Sequence, residues 1–224
     1  MYDTLLQLPL FQGLCTEDLT NIIEKVKLQF VKQPNGALIA QQGEACRQLV
    51  FLLKGELASE RKDPKGLFTW NEFFRAPFVV EPYSLFGMHP HYTANYRAED
   101  NAQLLCVDKN YILSVLSKYE VFQLNYLNIL SNRAQTFRDR LLQGVSHSAE
   151  EQILSFFLCN CEYPTGRKLM HIKMEDLAWI VNDTRLSISH VLNDWQDNGL
   201  AVLRRKEIEI PEMSHLVTYV QQQT

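Results

Sequence analysis

Residues 184–200, TRLSISHVLNDWQDNGL, combine an arginine with the spacing of an amphipathic helix. Apolar side chains recur at i, i+3, i+4 and i+7, which is one stripe of a 3.6-residue helix. Arg185 falls in the first turn, behind Thr184 as the N-cap, and an arginine in the first turn is what a recognition helix needs. A solvated amphipathic helix has the same pattern, so this stretch alone leaves both interpretations open. The apolar stripe is Ile188, Val191, Leu192 and Trp195, and the polar face is Arg185, Ser189, His190, Asn193 and Gln196.

A second group of cations follows directly in LAVLRRKEIEI, residues 200–210. Apolar residues alternate on both sides of Arg204, Arg205 and Lys206, which predicts a hairpin with a basic tip suited to a phosphate backbone. Three adjacent cations are also typical of a solvated turn. The preceding residues favour the first interpretation, because 174–199 has the pattern helix, tight turn, helix: Leu177, Ile180 and Val181 pack the first helix and Asn182 suits a left-handed turn position.

Other reactive side chains do not form a catalytic or metal-binding pattern. The sequence shows no nucleophile–base spacing and no phosphate-gripping glycine motif, so we expect no enzyme activity. His89 and His91 keep a metal or haem open as the lesser alternative, because they have no third partner nearby in sequence. Disulfides are not expected among the five cysteines, which are Cys15, Cys46, Cys106, Cys159 and Cys161. Cys159 and Cys161 lie two residues apart in a helical pattern, where their side chains point in different directions, so they are poorly placed to bind one metal ion.

Composition places these groups in an ordinary globular chain. The 224 residues suffice for one large or two small domains, and neither a signal sequence nor a membrane helix is evident, which predicts a cytoplasmic protein. The net charge is −4, and the part after Val145 has 7 basic and 11 acidic residues. This balance counts against a nucleic-acid partner, so only local clustering of cations supports one.

The elements that must position the candidate residues change along the chain. Residues 3–29 predict short helices, and short β-type segments with glycine turns follow, which favours a compact barrel or roll. LVFLL, residues 49–53, predicts a buried strand. A helix of more than 20 residues is expected from Glu120 to Gln143, ended by Gly144, and its apolar seam suits pairing with a second copy. The seam residues are Leu124, Leu127, Leu130, Phe137 and Leu141.

From Leu8 to Ile210 the chain resembles the CRP/FNR superfamily of bacterial transcription regulators. The resemblance rests on the glycine turns Pro34-Asn35-Gly36, Gln42-Gly43-Glu44 and Leu53-Lys54-Gly55-Glu56, on Arg97-Ala98, on the long helix and on the helix-turn-helix with its hairpin. It implies an α+β fold with a double-stranded β-helix (jelly-roll) sensor domain over 1–118, a dimerisation helix over 119–145 and a winged helix-turn-helix over 146–224. It also implies a homodimer that binds palindromic DNA operators and recruits or blocks RNA polymerase.

The sequence departs from this family at the effector pocket. Members that bind cyclic AMP have a Gly-Glu pair and an arginine for the phosphate, and here these positions are Val80-Glu81 and Tyr92, followed by Thr93. A neutral phenol cannot replace a guanidinium at a buried phosphate, so cyclic AMP is not expected unless Arg97 turns inward. Phe137 replaces a hydroxyl of the long helix. The N-terminal cysteine cluster of iron–sulfur members is missing, and we expect no such cluster.

The recognition helix departs as well. Arg185 matches the family's guanine-reading arginine, but the glutamate that commonly follows is Leu186, and a second basic position is His190. The resemblance therefore predicts a different operator, contacted by Thr184, Arg185, Leu186, Ser189, His190, Arg204, Arg205 and Lys206. The alternative is a module that senses an effector or a partner protein, with weak or vestigial DNA binding. In both cases the sequence does not identify the effector.

Overall fold

A computed structural model describes residues 2–142 and 148–223, and the contacts within it divide the chain into two compact units. The first unit consists of the residues up to Ala58 together with Phe74–Gln135. The second contains Ser59–Phe73 together with the described residues from Thr136 onward. This division differs from the expected domains, because a segment from the first 118 residues packs with the C-terminal part of the chain.

Eight α-helices form in the described ranges, and the long predicted helix is among them. Its described part ends at Leu142, while Gln143 and Gly144 lie outside the described residues. In none of these helices does an apolar stretch reach the length needed to cross a bilayer. The helices are α1 (Tyr2–Leu6), α2 (Thr16–Lys25), α3 (Lys109–Ser114), α4 (Glu120–Leu142), α5 (Ala149–Asn160), α6 (Met174–Ile180), α7 (Arg185–Asp197) and α8 (Met213–Gln223).

The strands are short, as the glycine spacing predicts. The buried strand expected at residues 49–53 is confirmed within β3, whereas residue 29, expected in a helical region, begins β1. The strands are β1 (Gln29–Gln33), β2 (Leu38–Ala40), β3 (Gln48–Lys54), β4 (Glu56–Lys62), β5 (Phe68–Arg75), β6 (Phe78–Val80), β7 (Asn95–Ala98), β8 (Ala102–Asp108), β9 (Lys168–Ile172), β10 (Val202–Arg204) and β11 (Glu207–Ile210).

The first unit is a β-roll with helices at both ends of its sequence. Four antiparallel strands pair in the order β1-β8-β3-β6, and β2 pairs with β7. Gly55 has a φ of 94° at the turn between β3 and β4, and a Cβ there would collide with the Asp100 carboxylate. That carboxylate accepts a hydrogen bond from the Glu56 amide at 2.9 Å, so the turn requires glycine.

In the second unit, helices α5 to α8 and an antiparallel sheet pack around one apolar core. Its strands pair in the order β10-β11-β9-β5, so β9 has the β10–β11 hairpin, called the wing hairpin, on one side and β5 on the other. Trp195 and Phe157 are fully buried at the centre, with ring centroids 6.1 Å apart. Trp70 of β5 joins the same core, 5.5 Å from the Phe157 ring.

A buried ion pair links β5 to β9 inside this unit. The Lys168 ammonium lies 2.9 Å from the Glu72 carboxylate, and the two side chains are 1% and 5% exposed. Lys168 also donates to the Thr165 carbonyl at 2.7 Å, while Glu72 accepts from the Glu162 amide at 2.8 Å. Burial raises the pKa of the Glu72 carboxyl, and the Lys168 ammonium opposes that rise. Each charge therefore depends on its partner.

Removing one member of this pair should strongly destabilise the second unit. We expect Lys168→Met to lower the free energy of unfolding by about 3–5 kcal/mol, because it leaves the Glu72 carboxylate buried without its cation. Urea unfolding, followed by the emission of the buried Trp70 and Trp195, measures the change.

Two further variants make this prediction specific. Arg167→Met removes a partly exposed ion pair between the residue preceding β9 and Glu209 of β11, and it should cost less, about 1 kcal/mol. The double variant Lys168→Met with Glu72→Leu should be more stable than Lys168→Met alone. Equal losses in Lys168→Met and Arg167→Met would contradict the importance of the buried pair.

Candidate nucleic-acid interface and effector pocket

The turn between α6 and α7 has the predicted capping groups. Asn182 adopts a φ of 55°, the left-handed conformation expected of it, and the Thr184 hydroxyl accepts a hydrogen bond from the Ser187 amide at 3.1 Å. Lys173 is the N-cap residue of α6, and its side chain makes no capping hydrogen bond. These contacts fix where α7 begins, and α7 begins with Arg185.

Helix α7 has the two faces that its sequence predicts. Ile188, Leu192 and Trp195 are fully buried, and the Trp195 indole donates to the Glu150 carboxylate at 2.7 Å. On the other face Leu186 is 69% exposed and His190 is exposed, whereas Ser189 is half-buried. The helix thus presents Arg185, Leu186 and His190 outward while its other face completes the core.

A cleft of about 220 Å³ lies between the start of α6, the start of α7 and the wing hairpin. Four of its lining residues are cationic and come from three separate segments of the sequence, and the carboxylates of Glu175 and Glu207 line the cleft as well. A concave surface with converging cations is suited to an anionic ligand such as a phosphate backbone. These four residues are Lys173, Arg185, Arg204 and Lys206.

The cations of the wing hairpin have different roles. The Arg204 guanidinium bonds to Glu207 at 2.6 Å and to Glu209 at 2.8 Å, and these hydrogen bonds raise the pKa of Arg204. Arg205 and Lys206 form the exposed turn, where Lys206 has a φ of 61°. Arg204 therefore braces the hairpin, and the turn residues are the better placed to contact a phosphate.

Arg185 is also held by a carboxylate. Its guanidinium lies 3.3 Å from Glu175 at the start of α6, with both side chains more than half exposed. An exposed ion pair of this kind contributes little to stability. It does hold the guanidinium at the mouth of the cleft, and a ligand that takes Arg185 must displace Glu175.

In the effector pocket predicted around Glu81, the carboxylate of Glu81 is hydrogen-bonded by other residues of the chain. Glu81 is buried and has a φ of 35°, and its carboxylate accepts hydrogen bonds from the Ser84 hydroxyl at 2.7 Å and the Thr93 hydroxyl at 2.8 Å. The Thr93 amide donates to the same carboxylate at 2.8 Å. Both oxygens are thus engaged by neighbouring residues of the chain.

The other predicted pocket residues do not supply a cation there. Tyr92 is buried beside Cys46 and donates to the Gln48 carbonyl at 3.4 Å, and burial raises the pKa of its phenol. Val80 is buried in β6 opposite Val50. Arg97 is exposed and donates to the Gly36 carbonyl at 3.4 Å, so the inward rotation considered from the sequence does not occur.

Sequence reasoning missed several residues around this pocket. Ser84 is a partner of Glu81, and the Tyr126 hydroxyl of α4 donates to the Pro82 carbonyl. Lys109 donates to the Leu85 carbonyl at 2.7 Å. The spacing of Ser84 three residues after Glu81 is a local signal for such a bond, but nothing local indicates the contacts of Tyr126 and Lys109.

The seam of α4 is largely exposed within a single chain. Leu124 and Leu127 are 59% and 58% exposed, and Leu130 is half-buried. Phe137 is 43% exposed and belongs to the second unit, whereas Glu81 and Tyr92 belong to the first. The side chain of Leu141 lies outside the described residues. The helix therefore presents an apolar surface that is available to a second chain.

The candidate metal ligands do not assemble within residues 2–142 and 148–223. His89 and His91 are exposed, and no group of three or more His, Cys, Asp or Glu side chains in those ranges is arranged to hold an ion. Cys159 is exposed whereas Cys161 is buried, which agrees with the different directions expected of them.

Comparisons with known proteins agree with this architecture. Residues 30–119, less than half of the chain, match the family model described as the cyclic nucleotide-binding domain. A comparison with curated proteins gives no significant match. Among solved structures, the Thermus thermophilus catabolite activator protein superposes with a TM-score of 0.55 at 20% identity, covering 96% of this chain and 100% of that one.

Two further structures resemble the chain at low identity. A Eubacterium rectale protein assigned to the CRP/FNR family of transcriptional regulators superposes with a TM-score of 0.55 at 18% identity and covers 96% of this chain and 99% of its own. The sensor domain of the Pseudomonas aeruginosa transcriptional regulator DNR gives 0.51 at 23% identity, covering 65% of this chain and 99% of that one. At these identities the likeness concerns the fold. The chain shares the fold of these structures, and residues 30–119 match the cyclic nucleotide-binding domain.

The Glu175 carboxylate should weaken the binding of any anionic ligand in the cleft. We expect Glu175→Gln to tighten the binding of duplex DNA by up to about fivefold, because the substitution frees Arg185 and removes a negative charge near the phosphates. Fluorescence anisotropy with labelled duplex DNA measures the affinity. Asp176→Asn is the matched control, since it removes the neighbouring negative charge without breaking the pair, and an equal gain in both variants would contradict a specific effect of the pair.

Proposed function

We propose that this protein is a homodimeric, sequence-specific DNA-binding transcription regulator. The observation that carries the proposal is the position of Arg185, exposed at the start of α7 and at the mouth of a cleft that is also lined by Lys173 and Lys206. A helix that follows a tight turn and presents its N-terminal residues is the element that enters the major groove in helix-turn-helix proteins. The solved structures that share the fold are named as regulators, which supports the proposal.

The cations divide into two kinds of contact under this proposal. Arg185 reads a guanine by two parallel hydrogen bonds, and Leu186 contacts the methyl group of a thymine. Arg205 and Lys206 bind phosphates next to the groove, which positions the protein without reading sequence. Arg204 acts indirectly, since its guanidinium is held by Glu207 and Glu209.

The exposed apolar seam of α4 indicates a surface that binds another protein chain. Leu124 and Leu127 are three residues apart and more than half exposed, and Phe137 extends the apolar surface toward the end of the helix. We infer that a second copy of the chain covers this seam, since a two-fold dimer presents two copies of α7 to the two half-sites of a palindrome. RNA polymerase is the expected further partner of the DNA-bound dimer.

Two arginine variants test the division of labour on DNA. Arg185→Ala should weaken binding to the preferred sequence by about 1–3 kcal/mol and leave binding to random DNA nearly unchanged. Arg205→Ala should weaken binding to both and reduce the slope of log affinity against log salt by about one unit. Anisotropy titrations at several salt concentrations measure both quantities. Equal effects of the two substitutions on preferred and random DNA would contradict the assignment, and no binding at all would favour a sensing module.

The first unit, we propose, does not bind cyclic AMP. The Glu81 carboxylate already accepts hydrogen bonds from Ser84 and Thr93, so the ribose hydroxyls would have to displace them. A cyclic phosphate would also add a second anion near Glu81, while the position of the arginine is occupied by the neutral Tyr92. Burying an anion without a compensating cation costs several kcal/mol. The pocket therefore takes a less anionic effector or is filled by its own side chains.

Calorimetry with cyclic AMP tests this proposal. The native protein should give no heat of binding at micromolar concentrations, whereas Tyr92→Arg with Val80→Gly should gain measurable affinity, because the guanidinium supplies the missing charge. Arg97→Ala should not change either result, since Arg97 is exposed and contacts the Gly36 carbonyl. Micromolar binding by the native protein would contradict the proposal.

A further inference from the structure

The turn between β4 and β5 lies at the same end of the sheet as the wing turn. Phe68 of β5 pairs with Ile172 of β9, and Glu207 of β11 pairs with His171. Because both strands are antiparallel to β9, the turns that precede them emerge where β9 ends and α6 begins. Both hairpins belong to the second unit. The sheet thus carries one hairpin on each side of β9, and both turns are directed to the same end.

The β4–β5 turn is well defined and carries an exposed cation. Its Asp63 carboxylate accepts hydrogen bonds from the Lys65 amide at 3.0 Å and the Leu67 amide at 3.2 Å. The Lys65 ammonium lies 5.6 Å from the centroid of the Trp179 ring, and Trp179 is 66% exposed on α6. An ammonium over an indole face keeps its full charge, whereas an ammonium paired with a carboxylate is neutralised.

This pair is continuous with the proposed DNA-binding surface. Trp179 follows Glu175 by four residues on α6, so the two side chains share a face of the helix. Glu175 in turn lies 3.3 Å from Arg185. The surface therefore runs from the residue proposed to read the major groove, along the outer face of α6, to Lys65. A DNA backbone that leaves the groove on this side passes the β4–β5 turn.

We propose that the β4–β5 turn is a second DNA-contacting hairpin, in which Lys65 binds a phosphate and Trp179 packs against an adjacent sugar of the duplex flanking each half-site. The inference rests on the proposed function. It adds a contact to DNA from residues 59–73, a segment that precedes α4 in the sequence. Duplex DNA is the occupant favoured by the observations, because an exposed cation and an exposed aromatic ring continue a cleft in which four cations outnumber two carboxylates.

Tryptophan emission offers a direct readout of this contact. Trp70 and Trp195 are 2% and 0% exposed, so among the three tryptophans Trp179 is the one open to a neutral quencher. We expect acrylamide to quench part of the emission of the native protein and a duplex of about 40 base pairs to protect it, since that length covers two half-sites and their flanks. Trp179→Phe should abolish both the quenching and the protection.

Salt titration provides the second readout. Lys65→Ala should reduce the slope of log affinity against log salt by about 0.9, the value for one phosphate contact. Lys54→Ala, which removes an exposed lysine from a glycine turn of the first unit, is the matched control and should leave the slope unchanged. Protection of Trp179 together with a reduced slope in Lys65→Ala alone supports the proposal.

The contrary outcomes separate this inference from the proposed function. If the native protein binds duplex DNA in an Arg185-dependent manner, but Trp179 stays open to acrylamide and Lys65→Ala keeps the native slope, the second hairpin is wrong and the proposed function stands. If the native protein binds no duplex DNA, both are overturned. If Lys54→Ala and Lys65→Ala reduce the slope equally, a specific contact at the β4–β5 turn is also overturned.

Discussion

The buried ion pair between Glu72 and Lys168 is the constraint on which the second unit depends. Two charges nearly excluded from water are tolerable only if each is neutralised and its remaining hydrogen-bonding capacity is used. Here the Glu162 amide and the Thr165 carbonyl complete the arrangement. The pair therefore requires β5 to lie beside β9 in one register, since a shift by one residue would place a charge against the apolar core. This register sets the β4–β5 turn beside the start of α6.

The same principle operates at the other buried carboxylate. Glu81 is the residue to which the resemblance assigns ribose binding, yet the Ser84 and Thr93 hydroxyls donate hydrogen bonds to its carboxylate. A buried acid must find donors somewhere, and a chain that supplies them itself does not need a ligand for this purpose. Under the proposed function, regulation would depend on a different effector or on none.

Much of the second unit could be predicted from the sequence because its signals are local. The capping hydroxyl of Thr184, the left-handed Asn182 and the apolar stripe of α7 are each fixed within a few residues, and all are confirmed. The long helix and the buried strand at residues 49–53 follow from periodicity and length in the same way. Local chemistry thus gives the elements and the exposed face of α7.

Contacts between distant parts of the sequence could not be predicted. Glu72 and Lys168 are far apart along the chain, and alternation in β5 indicates a strand without identifying its partner. The placement of residues 59–73 with the C-terminal part therefore had no sequence signal. Likewise the ion pair of Arg185 with Glu175, and the bonds that occupy Arg204, depend on side-chain directions set by the fold.

Under the proposed function, this protein reads DNA sequence as a two-fold dimer through Arg185. Selection of duplexes from a randomised pool by the native protein, followed by sequencing, measures this property. We expect an enriched palindrome whose half-site centres are separated by about 10 base pairs or a multiple of that, with a G·C pair at the same position of each half-site. A pool without an enriched motif, or one enriched in a single asymmetric site, would contradict it.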